Sequence, residues 1–286
     1  MTYNGEAIFN GDGSIRKIQE GEDGRSYSSN LAKLLKQLPK LQNLQEGKPP
    51  SPVMAHISLT NACNLTCSFC CFANRDISDK MPTEKVFQAL ESFKAIGVTG
   101  VEFTGGGEPS IHPHFKEIVQ YAKDLGFSLG ICTNGARFGA DRPIKKDIVE
   151  LFDWVRLGMY GFYEGYDYDL SVFEGTNCKP SAAYVWDENL ETSKNPNITG
   201  DWSDVKNKRV LSKKFQTTEN FIRMLDWVEE NGIPCRIAFN AIKDVKETEK
   251  DIETIRGIIE HYEEDRGRKL KYAFLSDFNF LPRSSS

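Results

Sequence analysis

Cys63-Asn64-Leu65-Thr66-Cys67-Ser68-Phe69-Cys70 places three thiols in one short loop, directly after the apolar, strand-like run 53–59. Thiolates select soft metal centres such as zinc and iron–sulfur clusters, so thiols this close in sequence read as metal ligands. The spacing supplies three ligands. A closed tetrahedral zinc site takes four, and a [4Fe-4S] cube held by protein alone also takes four. Cys71 follows at once and allows a zinc knot of Cys63, Cys67, Cys70 and Cys71, although vicinal cysteines meet one metal with poor tetrahedral geometry. The missing fourth ligand is the informative feature.

Working outward, the 286 residues suffice for one large α/β barrel or two modest domains. With 39% hydrophobic and 27% charged residues the composition is that of a soluble globular protein. No uninterrupted apolar run approaches membrane-spanning length, and Met1-Thr-Tyr-Asn-Gly-Glu6 lacks the basic-then-apolar pattern of a signal peptide, so a cytoplasmic location without membrane contact is expected. Seven cysteines, three of them clustered, fit metal ligation in a reducing compartment better than a disulfide framework. A formal net charge of −5 argues against broad, sequence-independent nucleic-acid binding.

Residues 1–50 read as an N-terminal extension: a β-hairpin over 6–18 around an Asn-Gly-Asp-Gly turn, then a helical stripe of Leu31, Leu34, Leu35, Leu38 and Leu41. Gly47-Lys-Pro-Pro-Ser-Pro52 breaks regular structure and opens a domain over 51–286. Strands are expected at 53–59, 98–103, 127–132, 154–159, 234–242 and 270–278, with helices at 83–95, 113–125, 144–152, 217–231 and 248–264. Strict alternation implies a parallel sheet, because parallel neighbours need a crossover connection. In either a doubly wound sheet or a barrel the chemistry gathers at the C-terminal strand ends. The long stretch 162–215 breaks the rhythm. Its aromatics, among them Tyr168, Phe173, Tyr184 and Trp186, argue for a folded insertion over the active site, either contacting substrate or only excluding water.

The C-x3-C-x2-C spacing with an aromatic before the last cysteine, followed by Gly105-Gly106-Gly107-Glu108-Pro109, resembles the radical SAM (S-adenosylmethionine) superfamily. The resemblance implies a partial (β/α)6 barrel, open on one side, with the insertion after the fourth strand. It implies that Cys63, Cys67 and Cys70 hold a [4Fe-4S] cluster whose fourth iron is chelated by the amino and carboxylate groups of SAM. It also implies reductive cleavage of SAM to a 5′-deoxyadenosyl radical that takes hydrogen from a substrate, with an electron from a reductant such as flavodoxin or ferredoxin.

For SAM itself the resemblance points to Gly105, Gly106, Gly107 and Glu108, where absent Cβ atoms allow close approach, and to the turn Thr133-Asn134-Gly135. Phe69 is expected over the cluster or adenine edge, and Asn240 is a candidate ribose contact. Arg156 faces either the SAM carboxylate or an ion pair inside the barrel, with Glu102 the available acid. Cys178 is either a hydrogen-atom donor or an ordinary thiol.

The substrate class tilts towards a small molecule or a nucleoside. A peptide-modifying enzyme and an activase of a glycyl-radical partner share the same motifs, and a zinc-binding interaction module is the non-enzymatic alternative.

Overall fold

A computed structural model of the chain describes residues 7–9, 15–18, 37–49, 51–67, 70, 72, 75–138, 144–159, 168–186, 191–194, 213–214, 217–239, 245–267 and 272–274. The chain divides into two compact units. The first holds residues 1–53 and 96–98. In it, β1 (Ala7–Phe9) pairs antiparallel with β2 (Ile15–Ile18), and α1 spans Leu38–Gln45. Lys40 Nζ donates to the carbonyls of Pro52 and Gly97, both at 2.7 Å, and Ser51 Oγ donates to Ile96 O at 2.7 Å, so three separate stretches of this unit are tied together.

The second unit is an open, all-parallel sheet. Its strands are β3 (Met54–Ile57), β5 (Gly100–Phe103), β6 (Ser128–Thr133), β7 (Trp154–Gly158), β8 (Lys179–Trp186), β11 (Cys235–Phe239) and β12 (Tyr272–Phe274). They lie side by side in that order as seven strands, with β3 and β12 at the edges. Helices α2 (Thr83–Ala95), α3 (Phe115–Asp124), α4 (Lys146–Val149), α5 (Thr217–Glu230) and α6 (Val245–Arg266) supply crossovers. This is the open α/β architecture that the alternation implies, with one strand more than the six expected.

That additional strand, β8, lies inside the 162–215 stretch and pairs in parallel with both β7 and β11. Among the described residues 168–178 that lead into β8 there is one 3-10 turn, Ser171–Phe173. Pro180 would normally exclude a central strand. Here it pairs with Val155 of β7, while pairing with β11 begins only at Ala182, so its missing N–H leaves no gap in the ladder.

Period-two alternation sorts the strands into two faces. Val101, Phe103, Leu129, Ile131, Val155, Leu157, Ala182 and Tyr184 are buried on one, with Val86 and Leu90 of α2 and Ile118 and Val119 of α3 also in the core. Phe103 meets Phe115 and Phe152 edge-on, with ring centroids 6.5 Å and 6.2 Å away. Tyr184 and Trp186 of β8 lie 5.3 Å and 5.4 Å from the Phe221 ring of α5, so these aromatics are core residues that seat a helix on the sheet. His56, Glu102, Cys132, Arg156 and Ser181 alternate onto the other face, in neighbouring registers.

A second, three-stranded antiparallel sheet joins β4 (Leu65–Cys67), β9 (Glu191–Lys194) and β10 (Lys213–Lys214) in the order β10-β9-β4. Among the described residues, no helix is long and apolar enough to cross a membrane.

Phe103 is fully buried against two rings, so Phe103→Ala is expected to lower unfolding free energy by about 3–5 kcal/mol. Urea denaturation measures this, and a loss below roughly 1 kcal/mol would contradict the ring cluster as a core.

Candidate active site

Three chain segments leave the same edge of the parallel sheet: the cysteine loop after β3, the glycine run after β5 and the turn Thr133-Asn134-Gly135 at the end of β6. Parallel neighbours send consecutive C-terminal ends to one side, which is why residues from 25 to 71 positions apart meet there.

The cysteine loop is held from both sides. Cys67 ends β4, in register with Thr192 of β9, so the stretch expected as an insertion supplies a strand to the cysteine loop itself. The Cys70 backbone N–H donates to Cys67 O at 3.1 Å. Arg75 Nη1 donates to Cys70 Sγ at 3.6 Å and to Phe72 O at 2.6 Å. Asn134 Nδ2 approaches Cys63 Sγ at 3.7 Å. Burial, with the Glu108 charge adding to it, pushes the Cys63 thiol up to about 11. Among the described residues, no three His, Cys, Asp or Glu side chains converge as a ready metal cage.

The glycine run packs against the chain that leads into Cys63. Gly107 N–H donates to Thr60 O at 2.7 Å and Glu108 N–H to Ala62 O at 2.8 Å. A Cβ on Gly107 would overlap the Ala62 carbonyl, and Gly106, at φ +30°, would meet Asn61 and Ser58. These glycines therefore serve close backbone approach to residues 58–62. The carbonyls of Gly105, Gly106 and Gly107 accept no hydrogen bond among the described residues.

Glu108 is 3% exposed and its carboxylate is saturated. Oε1 accepts from Ser110 N at 3.1 Å, Ser110 Oγ at 2.6 Å and Thr133 Oγ1 at 2.7 Å; Oε2 accepts from Asn134 N at 2.7 Å. The side chain thus joins the glycine run to the end of β6. Asn134 is equally occupied: Oδ1 accepts from Ala136 N at 3.0 Å, Nδ2 donates to Asn64 Oδ1 at 2.7 Å, and its carbonyl accepts from Tyr168 Oη at 3.2 Å. Tyr168 Oη is also 3.2 Å from Gly158 O, so its single O–H is shared between the ends of β6 and β7.

Arg156 lies on the sheet face that also carries Glu102 and Cys132, called the inner face below, its guanidinium 5.1 Å over the Trp154 ring. Nη1 donates to Cys132 Sγ at 3.3 Å, and that thiol donates to Glu102 Oε1 at 3.2 Å, so Cys132 stands between the cation and the acid that could pair with it. Phe69 and Asn240 lie outside the described residues. Cys178 immediately precedes β8, at the strand end opposite the cysteine loop, and burial pushes its thiol up to about 12. His112 is buried with Nε2 3.2 Å from Met81 O, and His114 pairs with Glu117 at 3.0 Å on the surface. Motif spacing does not reveal Asn64, Arg75 or Cys132, since none belongs to a periodic or spaced pattern.

Residues 57–164 match the family model of the Radical SAM superfamily. The S-adenosylmethionine-dependent nucleotide dehydratase of Selenomonas ruminantium is 31% identical over 98 residues, 34% of this chain and 35% of that protein. The sporulation killing factor maturation protein SkfB of Bacillus subtilis (strain 168) is 33% identical over 85 residues, 29% of this chain and 20% of that protein. The chain thus matches about a third or less of each relative's length. Among solved structures, Streptococcus suis SuiB bound to precursor peptide SuiA superposes with a TM-score of 0.53 at 17% identity, covering 91% of this chain and 57% of that one. At that identity the likeness speaks for the fold.

Two outcomes follow from the titrating groups. Burial pushes the Glu108 carboxyl above its ordinary 4.5, its four donors opposing. The folded chain then keeps that proton where the unfolded chain has released it, so this contribution to stability is full below 4.5 and is lost as pH rises through the folded value. The difference in unfolding free energy between wild type and Glu108→Gln should shrink across that rise; a flat difference would contradict the shift. In the metal-free chain, Cys63 at about 11 should be alkylated by iodoacetamide roughly a hundredfold faster at about pH 9 than at about pH 7. Mass spectrometry of the Cys63 peptide reads this, and a rate that levels off near pH 8.5 marks an ordinary thiol.

Proposed function

We propose that this chain, which over residues 57–164 belongs to the radical SAM superfamily, is an enzyme whose Cys63, Cys67 and Cys70 hold a [4Fe-4S] cluster that cleaves S-adenosylmethionine reductively. The supporting observation is the convergence of the cysteine loop, the glycine run and the Asn134 turn, tied by Glu108 and Asn134 at one edge of the sheet. The donor set suits the cluster: three cysteines in one loop, with Asn134 Nδ2 and Arg75 Nη1 directed at the Cys63 and Cys70 sulfurs, as anionic thiolate ligands require. Each sulfur adjusts by rotation about a single bond. The bound cluster supplies one-electron cleavage of the SAM sulfonium and through it hydrogen abstraction from substrate.

The chain's own residues bind and orient. The Gly105, Gly106 and Gly107 carbonyls form a set of acceptors for the SAM ammonium, held rigid by the bonds from Gly107 and Glu108 to Thr60 and Ala62. Glu108 and Thr133 fix the loop ends. Arg156 offers a guanidinium on the inner face for a carboxylate, of SAM or of substrate. Phe69 is assigned to the cluster edge and Asn240 to the ribose, both on sequence grounds.

For the substrate we favour a small molecule or nucleoside, supported by the match to the nucleotide dehydratase and by the net charge of −5. Peptide modification is the second reading, favoured by the similarity to SkfB. A flavodoxin or ferredoxin is the proposed electron donor.

The test is anaerobic reconstitution with iron and sulfide, then SAM cleavage under strong reductant, followed by deuterated nucleosides and peptides as substrates. Wild type should bind iron and release 5′-deoxyadenosine, carrying label from the true substrate class. The triple variant Cys63→Ala, Cys67→Ala, Cys70→Ala should lose both activities to background; retained cleavage would sink the proposal.

A further inference from the structure

Asn64 follows the first cysteine of the loop and is 1% exposed. The two ends of its amide can be told apart. The backbone N–H of Ala136 is a donor that cannot be exchanged, and it reaches the Asn134 side chain at 3.0 Å, so that end of Asn134 is its oxygen. The other end, Nδ2, donates to Asn64 at 2.7 Å, which makes the accepting atom Asn64 Oδ1. Asn64 Nδ2 is thereby left buried with no acceptor among the described residues.

An amide N–H stripped of water and given no acceptor is destabilising by the full desolvation of the group. Its surroundings suggest what it is built for. The Asn134 Nδ2 that holds Asn64 also approaches Cys63 Sγ at 3.7 Å, so the Asn64 amide and the Cys63 sulfur are neighbours around one carboxamide.

We propose that Asn64 Nδ2 donates a hydrogen bond to a sulfur of the iron–sulfur cluster at Cys63, raising the reduction potential of that cluster, an assignment that rests on the function proposed above. The physical reason is charge. Reduction adds an electron that spreads onto the cluster sulfurs, so an N–H aimed at one of them favours the reduced state. Asn134 positions the amide, and burial keeps water from competing for it.

The experiment is an EPR-monitored redox titration of the anaerobically reconstituted full chain without SAM, with SAM affinity measured in parallel. In Asn64→Leu, which removes the donor without adding charge, the ratio of reduced to oxidised cluster at a fixed potential should fall about tenfold, a shift of ~59 mV to the negative for one electron. Asn64→Asp keeps the acceptor for Asn134 and replaces the donor with a negative oxygen, and it should shift further the same way. Iron content equal to wild type with an unchanged potential in Asn64→Leu overturns the inference. So does an unchanged potential with weakened SAM binding, which assigns the donor to SAM. If Asn64→Leu does not fold, Asn64→Asp decides, and a potential equal to or above wild type is fatal. A wild-type chain that takes up no cluster fails at the earlier step and removes the proposed function along with this inference.

Discussion

A single buried carboxylate holds the site together. Glu108 reaches from the end of the glycine run to Thr133 and Asn134, and its two oxygens take four donors, two of them backbone N–H groups. Burying a carboxylate is expensive unless its oxygens are hydrogen-bonded, and the saturation here is what makes a fully buried position tolerable. The consequence is geometric. With Glu108 N–H on Ala62 O, the loops after β3, β5 and β6 become one unit, and a displacement of any one breaks bonds in the other two.

The inner face of the sheet is organised differently. Gly130 lacks a Cβ that would overlap the Trp154 indole, so the indole lies across β6 and the Arg156 guanidinium rests above it. Cys132 then bridges Arg156 and Glu102, and His56 Nδ1 comes within 3.5 Å of the same Glu102 oxygen. This row carries charge into the sheet's inner face, whereas the Glu108 network spends its charge on internal cohesion. Burial pushes the Cys132 thiol up to about 12, with the nearby guanidinium opposing, so the row carries a neutral thiol between two charged groups.

Much of this layout is legible in the sequence because it is local. The cysteine spacing, the glycine run and the first four strands follow from residues within a few positions of one another. What is hidden depends on contacts between distant residues. β8 follows a described stretch with one 3-10 turn and carries a proline near its start, and only the offset of β11 by two residues makes that proline acceptable. β4 is three residues long and owes its strand geometry to β9, more than a hundred positions later. Glu108 looks in sequence like a cofactor residue or a helix start; two of its four donors are local, on Ser110, and the other two, on Thr133 and Asn134, come from a segment that meets it only in the fold. Asn64 carries no sequence signal, since an asparagine in a loop is ordinary until its Nδ2 is found buried with no acceptor among the described residues.

The cysteine loop shows why such a shell is needed. Cys63 is held protonated to about 11 by burial and by the charge of Glu108, while Asn134, Arg75 and the Leu65 backbone pull the other way. The thiol therefore stays protonated near neutral pH unless a partner outweighs desolvation, as a bound metal ion would. Once the sulfur is anionic the balance reverses: the donors that were too weak to ionise it become charge-assisted bonds that hold it. Glu108 cannot move closer to compete, because all four of its donors fix it in place. The same carboxylate that locks the loops also discourages a free thiolate at Cys63, which links the rigidity of the site to the protonation of its first cysteine.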